Sequence, residues 1–152
     1  MLSANSSFPA IIVLAVTLLP LPARAVLGGD AKSVQDDQAR MRGSLRITQV
    51  AAYSVHEIQS ASGMRIREYV SDEGKVFAVG FQGFRVPDMR LLLGQYFPQY
   101  QRAALVRRSG HGPLLIEEPG LVVQIAGHMR AFVGRAYVPH MIPEGIRVQS
   151  IR

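Results

Sequence analysis

The chain contains no cysteine. That excludes disulfides, thiolate zinc sites and a lipid-modified cysteine anchor, so the hydrophobic core alone must supply stability. A run long enough to span a membrane is also missing. The most apolar stretch, FPAIIVLAVTLLPL from Phe8 to Leu21, has 14 residues and is interrupted by Pro9 and Pro20. A helix rises about 1.5 Å per residue and needs roughly 20 apolar residues to cross hydrocarbon. Lysine is scarce. Fifteen of the 17 basic residues are arginine, and they are scattered, with Arg107-Arg108 the only adjacent pair. A nucleic-acid binder would carry a denser basic stripe with interleaved aromatics, so no nucleic-acid partner is expected. Gly28 and Gly29 do not form the G-x-x-x-x-G-K-S/T pattern of a phosphate-binding loop, and no nucleotide cofactor is expected. There is no internal repeat or low-complexity tract.

The short apolar run has the length of a signal-peptide core. Pro20 and Pro22 end it just before Ala23-Arg24-Ala25, whose two alanines fit the small pockets of a signal peptidase. Cleavage after Ala25 is expected, leaving Val26 as the new N-terminus. The segment before the run, MLSANSS, has no Lys or Arg, so only the terminal amine is positive. No twin-arginine pair precedes the run, which favours the general export route. The expected product is exported, periplasmic or secreted, with no stable membrane anchor after cleavage. Removing residues 1–25 from 152 leaves 127, the size of one domain, with 16 basic against 11 acidic side chains. An arginine-rich composition of that charge can serve an anionic partner, although codon bias in a GC-rich genome is the simpler account.

Along residues 26–152 the pattern predicts a single α+β domain: a mostly antiparallel sheet of hairpins with two short helices packed on it. The first helix is expected over 31–43, where Ser33 is an N-cap, Asp36 and Asp37 lie early, and Gly43 stops it. Period-two runs follow, LRITQVAAYSVHEIQ, MRIREYVS and KVFAVGFQG, separated by SASG and DEG. A two-residue turn at Glu73-Gly74 would place Phe77 with Ile66, Val70, Val79 and Phe81. The second helix is VPDMRLLLGQYFP, capped by Asp88 and closed by Pro98, with Met89, Leu92, Leu93 and Tyr96 on one stripe. Residues 99–108 fit strand or helix. Strands return in GPLLIEE, GLVVQIA and HMRAFVGRAYVP.

LGGDAKSV, YSVHEIQSASGMRIREYVS, GKVFAVGFQG, VPDMRLLLGQYFPQY and GHMRAFVGRAYVP occur in that order. Together they resemble a family of Gram-negative exported proteins catalogued as domain of unknown function 2844, from about Leu27 to Pro139. The resemblance implies an envelope or secreted protein. It brings no activity, cofactor or catalytic residue.

Two groups of residues carry chemistry worth testing. If Ala61-Ser62-Gly63 is a three-residue loop with Gly63 left-handed, Ser60 pairs with Met64. Counting back then sets His56 opposite Glu68, and Glu57 opposite Arg67. A histidine beside a carboxylate in apolar surroundings can be tuned as a general base. The same pair also reads as a polar contact that fixes strand register, because no nucleophile is tied to it by a motif. The second group is Arg130, Phe132, Arg135 and Tyr137, where arginine beside aromatics can present a binding surface. A turn at Ala126-Gly127-His128 would put Leu121, Val123 and Ile125 against Met129, Ala131 and Val133, with Arg130 and Phe132 on the opposite face. His111, His128 and His140 have 16 and 11 residues between them, unlike metal-ligand spacing, so no metal is expected. Three function classes follow. One is a non-catalytic envelope protein binding another envelope protein or an anionic ligand. Another is a small hydrolase or isomerase using His56 and Glu68. The third is a chaperone-like accessory that adds a strand of its client to an exposed sheet edge.

Overall fold

The computed structural model describes residues 27–30, 39, 42–106 and 112–152. The predicted cleavage site, with Ala23, Ala25 and Val26, lies outside the described residues, as does most of the helix expected over 31–43. Among the described residues the strands are β1 (Ser44–Val50), β2 (Tyr53–Gln59), β3 (Arg65–Ser71), β4 (Val76–Gly83), β5 (Leu114–Glu118), β6 (Leu121–His128) and β7 (Ala131–Tyr137). They form one seven-stranded sheet in the order β1-β2-β3-β4-β7-β6-β5, antiparallel throughout. Two meanders, β1 to β4 and β5 to β7, therefore meet where β4 pairs with β7. Between them run α1 (Met89–Leu93), a 3-10 turn (Gly94–Tyr96) and α2 (Phe97–Val106). The arrangement is α+β and mostly sheet.

The helical stretch lies on one face because its apolar stripe is there. Met89, Leu92 and Leu93 pack with Val79, Phe81, Val123 and Ala136. Asp88 caps α1 as expected, its Oδ1 accepting from the Arg90 amide at 2.9 Å. Pro98 does not close the helix. It sits in the first turn of α2, where no amide proton is needed, and Gly94 (φ 50°) makes the break instead. Residues 99–106 are thus helical. Leu27 completes this core, fully buried, with its amide donating to Leu92 O at 3.2 Å.

Side chains of the other face are covered by the segment after β7. Ile142, Ile146 and Ile151 pack with Tyr53, Tyr69, Phe77 and Tyr137. Phe77 is on this face, contrary to the two-residue turn. The loop is Asp72-Glu73-Gly74, closed by Ser71 N donating to Lys75 O at 2.9 Å, and Gly74 takes φ 76°. Val70 then meets Val76 while Tyr69 meets Ala78, leaving Phe77 as the extra residue of a bulge. The bulge turns Phe77 and Ala78 to the same side and brings Phe77 into tilted and edge contacts with Tyr69 and Tyr53. The run LRITQVAAYSVHEIQ is likewise two strands, not one. It turns at Ala51-Ala52, with Ala51 at φ 37°, so that Val50 pairs with Tyr53.

Candidate functional site

The β2–β3 hairpin has the expected loop. Ser60 N donates to Met64 O at 2.9 Å, Gly63 N to Ser60 O at 3.0 Å, and Gly63 has φ 83°. His56 accordingly faces Glu68, and Ile58 faces Ile66. Both polar residues are buried, at 9% and 1% exposure. They belong to a row that crosses the whole sheet on the helix-bearing face: Ile47, His56, Glu68, Val79, Ala136, Val123 and Ile116. Burial lowers the His56 pKa, so the imidazole is neutral near pH 7. Ser54, two residues earlier and on the same face, places its Oγ 3.0 Å from His56 Nε2. The structure therefore supplies the hydroxyl that no motif announced. None of the three cavities described below is lined by Ser54, His56 or Glu68.

The second group is set by a different turn from the expected Ala126-Gly127-His128. The β6–β7 hairpin turns at Met129-Arg130, with His128 paired to Ala131 and Arg130 at φ 67°. Gly127 permits this, since a side chain there would overlap the backbone of Ala131 and Phe132. Val123 now faces Ala136 and Ile125 faces Gly134. Leu121, Val123 and Ile125 therefore do not meet Met129, Ala131 and Val133. Phe132 packs on the helix-side core, Arg130 sits in the turn, and Arg135 and Tyr137 point to the opposite face. The four candidates do not form one surface.

Arg135 has a definite task on that face. Its Nε donates to Gln124 Oε1 at 2.8 Å, and one terminal nitrogen donates to Val148 O and Ile151 O, both at 3.0 Å. Tyr69 holds the same tail, accepting from Arg152 N at 2.8 Å and donating to Arg152 O at 3.0 Å. Burial is the main reason that the Tyr69 pKa is raised. Gly80 lies between Arg67 and Arg135, and a side chain there would overlap the Arg152 carbonyl.

Beside the tail the sheet is concave. A cavity of about 810 Å³ is lined by Arg65, Arg67, Arg135 and Arg152, with no Asp or Glu among its lining residues. Two smaller hollows adjoin it. One of about 450 Å³ shares Arg65 and reaches Arg130 and Phe132, and one of about 320 Å³ shares Arg67 and reaches Arg46. Cross-strand register builds the basic floor: Arg46, Glu57, Arg67, Gly80, Arg135, Gln124 and Leu115 form one row. The neighbouring row runs through Arg65, Gln82, Val133 and Ala126. Glu57 serves two arginines. Arg67 Nε donates to its Oε2 at 2.6 Å, whereas Arg65 Nε lies 3.7 Å from Oε1, beyond hydrogen-bond range. Arg65 Nε is buried without a hydrogen-bond partner.

Arg65 and Arg67 were legible as a pair, since residues two apart on a strand share a face. That they join Arg135 was not, because nothing local says that β7 lies against β4. Among the described residues, no three His, Cys, Asp or Glu side chains group as metal ligands, and His111 lies outside them. No helix among them is long and apolar enough to cross a membrane.

The chain belongs to the family described as protein of unknown function DUF2844, whose model matches residues 23–151. Neither a curated protein nor a solved structure matches it.

Proposed function

We propose that this member of the DUF2844 family is an exported envelope or secreted protein that binds an anionic partner and has no catalytic role. The observation that carries the reading is the cavity of about 810 Å³ with four arginines and no Asp or Glu in its lining. Arginine is suited to the task because its planar fork stays charged and meets carboxylate or phosphate oxygens in pairs. A concave site of this volume is in the range that holds a small molecule. Export is supported by the short apolar run and the Ala23-Arg24-Ala25 pattern, and intact mass of the natural product should begin at Val26.

Titration with tripolyphosphate, followed by calorimetry at low and moderate salt, tests the binding half. The double variant Arg65→Gln, Arg67→Gln should bind at least about tenfold more weakly, as expected for losing charged hydrogen bonds. Glu57→Gln should bind roughly twofold to fivefold more tightly, because it removes the carboxylate that competes for both guanidinium groups. Unchanged affinity in the double variant would reject the groove as the site.

A second reading draws on one contact. Ser54 Oγ at 3.0 Å from His56 Nε2, with Glu68 opposite, resembles a nucleophile, base and acid in sequence. A hydrolase or isomerase on that row would lose activity in His56→Ala while its melting curve stayed cooperative. The accessory reading relies on β1, an edge strand exposed along most of its length, as the strand-addition edge.

A further inference from the structure

The groove is not uniformly polar. Arg65 and Arg67 stand on β3, and two strands away the same face turns apolar, with Val133 on β7, Ala126 on β6, and Leu115 and Pro113 at β5. Val133 and Leu115 are 48% and 37% exposed, although both are large apolar side chains. Both line the same hollow. Gly80 and Gln82 of β4 separate β3 from β7, where Arg135 continues the cationic row and Val133 opens the apolar one. Four strand spacings of about 4.8 Å separate β3 from β5, so the hollow extends roughly 19 Å across the strands. That length suits an extended acyl chain.

Resting on the reading of the groove as an anion site, we infer that its ligand is a single-chain amphiphilic anion, a long-chain carboxylate. Its head would lie between Arg65 and Arg67 and its chain along Val133, Ala126 and Leu115. Arg65 and Arg67 already share Glu57, which leaves one positive charge in excess at the head position, enough for one carboxylate. The apolar wall has no role with a small hydrophilic ion. The concavity also favours a molecule taken singly over a membrane surface, because the tail at Ile151 and Arg152 forms one wall. A flat bilayer would touch that wall before it touched the floor.

Calorimetric titration of the purified full chain with acetate, octanoate and dodecanoate, each below its micelle concentration, tests the inference. Burial of a methylene strengthens binding by up to about fourfold, and partial burial in an open groove by about twofold. Dodecanoate should therefore bind at least about a hundredfold more tightly than acetate, and dodecanol about tenfold more weakly than dodecanoate. Val133→Ser should flatten the dependence on chain length. Because Val133 is half exposed, the variant is expected to fold, and Leu115→Gln offers the same reading from the edge strand β5. Arg65→Gln should weaken every chain length alike. Equal affinity for all three carboxylates, with tripolyphosphate still bound, would overturn the inference and leave the anion reading standing. If neither dodecanoate nor tripolyphosphate binds, both fall. Binding to phosphatidylglycerol vesicles without binding to monomeric dodecanoate would also overturn it, since the face would then be a membrane-adsorbing surface.

Discussion

Replacing Gly80 with alanine tests whether the tail is seated on the sheet as described. In an ordinary strand the change should be neutral or stabilising by about 0.4–1 kcal/mol, because alanine has fewer unfolded conformations to lose. Here the new methyl group would occupy the place of the Arg152 carbonyl. Either the sheet or the tail has to give, and the tail is held by less. Its anchors are the two Tyr69 hydrogen bonds, the Arg135 contacts to Val148 O and Ile151 O, and the buried Ile151 side chain. The Tyr69 bonds contribute about 1–2 kcal/mol together, the charged Arg135 contacts about 2 and Ile151 about 2. Freeing two or three residues returns backbone entropy of about 1–2 kcal/mol each. The net cost is roughly 1–3 kcal/mol, and the melting temperature should fall by roughly 4–12 °C. Tyr69→Phe alone should cost about 1–2 kcal/mol. The decisive quantity is the double variant. Once the tail is displaced, losing the Tyr69 hydroxyl should cost little more, so the two changes should be non-additive by about 1 kcal/mol. Denaturant melts of all four proteins measure it. Strict additivity, or a Gly80→Ala protein as stable as the parent, would refute the seating of the tail.

Two further outcomes follow from local geometry. The His56 pKa is lowered from 6.5 by burial, so between 6.5 and the depressed folded value the unfolded chain binds more protons than the folded one. Its contribution to stability is full above about pH 6.5 and is lost as pH falls toward the folded value. Urea melts from pH 7.5 downward should show a slope in the parent that His56→Gln lacks over that window, and identical slopes would contradict a buried neutral imidazole. At Gly63 an added Cβ meets nothing, yet φ is 83°. Gly63→Ala should therefore cost about 1–2 kcal/mol from backbone strain alone, with Gly63→Asn closer to the parent; a neutral alanine would argue against the left-handed turn.

Sequence by itself determined those features whose causes lie within a few residues. The β2–β3 register followed from Gly63, the only residue of its loop able to take a left-handed conformation without cost, and from the opposite charges that it aligned at Glu57 and Arg67. The α1 stripe followed from helical spacing and the Asp88 cap. Where local signals were weak or misleading, tertiary packing chose. Ala51-Ala52 carries no turn residue, and it turns because the two halves of that run pair with each other. Phe77 left its expected face because a bulge let it join Tyr53 and Tyr69. The β6–β7 turn moved to Met129-Arg130, which set Ala136 rather than Val133 against the core. Above all, only the pairing of β4 with β7 brings Arg135, 68 positions after Arg67 in the chain, to the other side of Gly80. Such pairing depends on burying one continuous apolar face under the helices. No stretch of the chain contains that face by itself, so no stretch can announce the groove on its reverse.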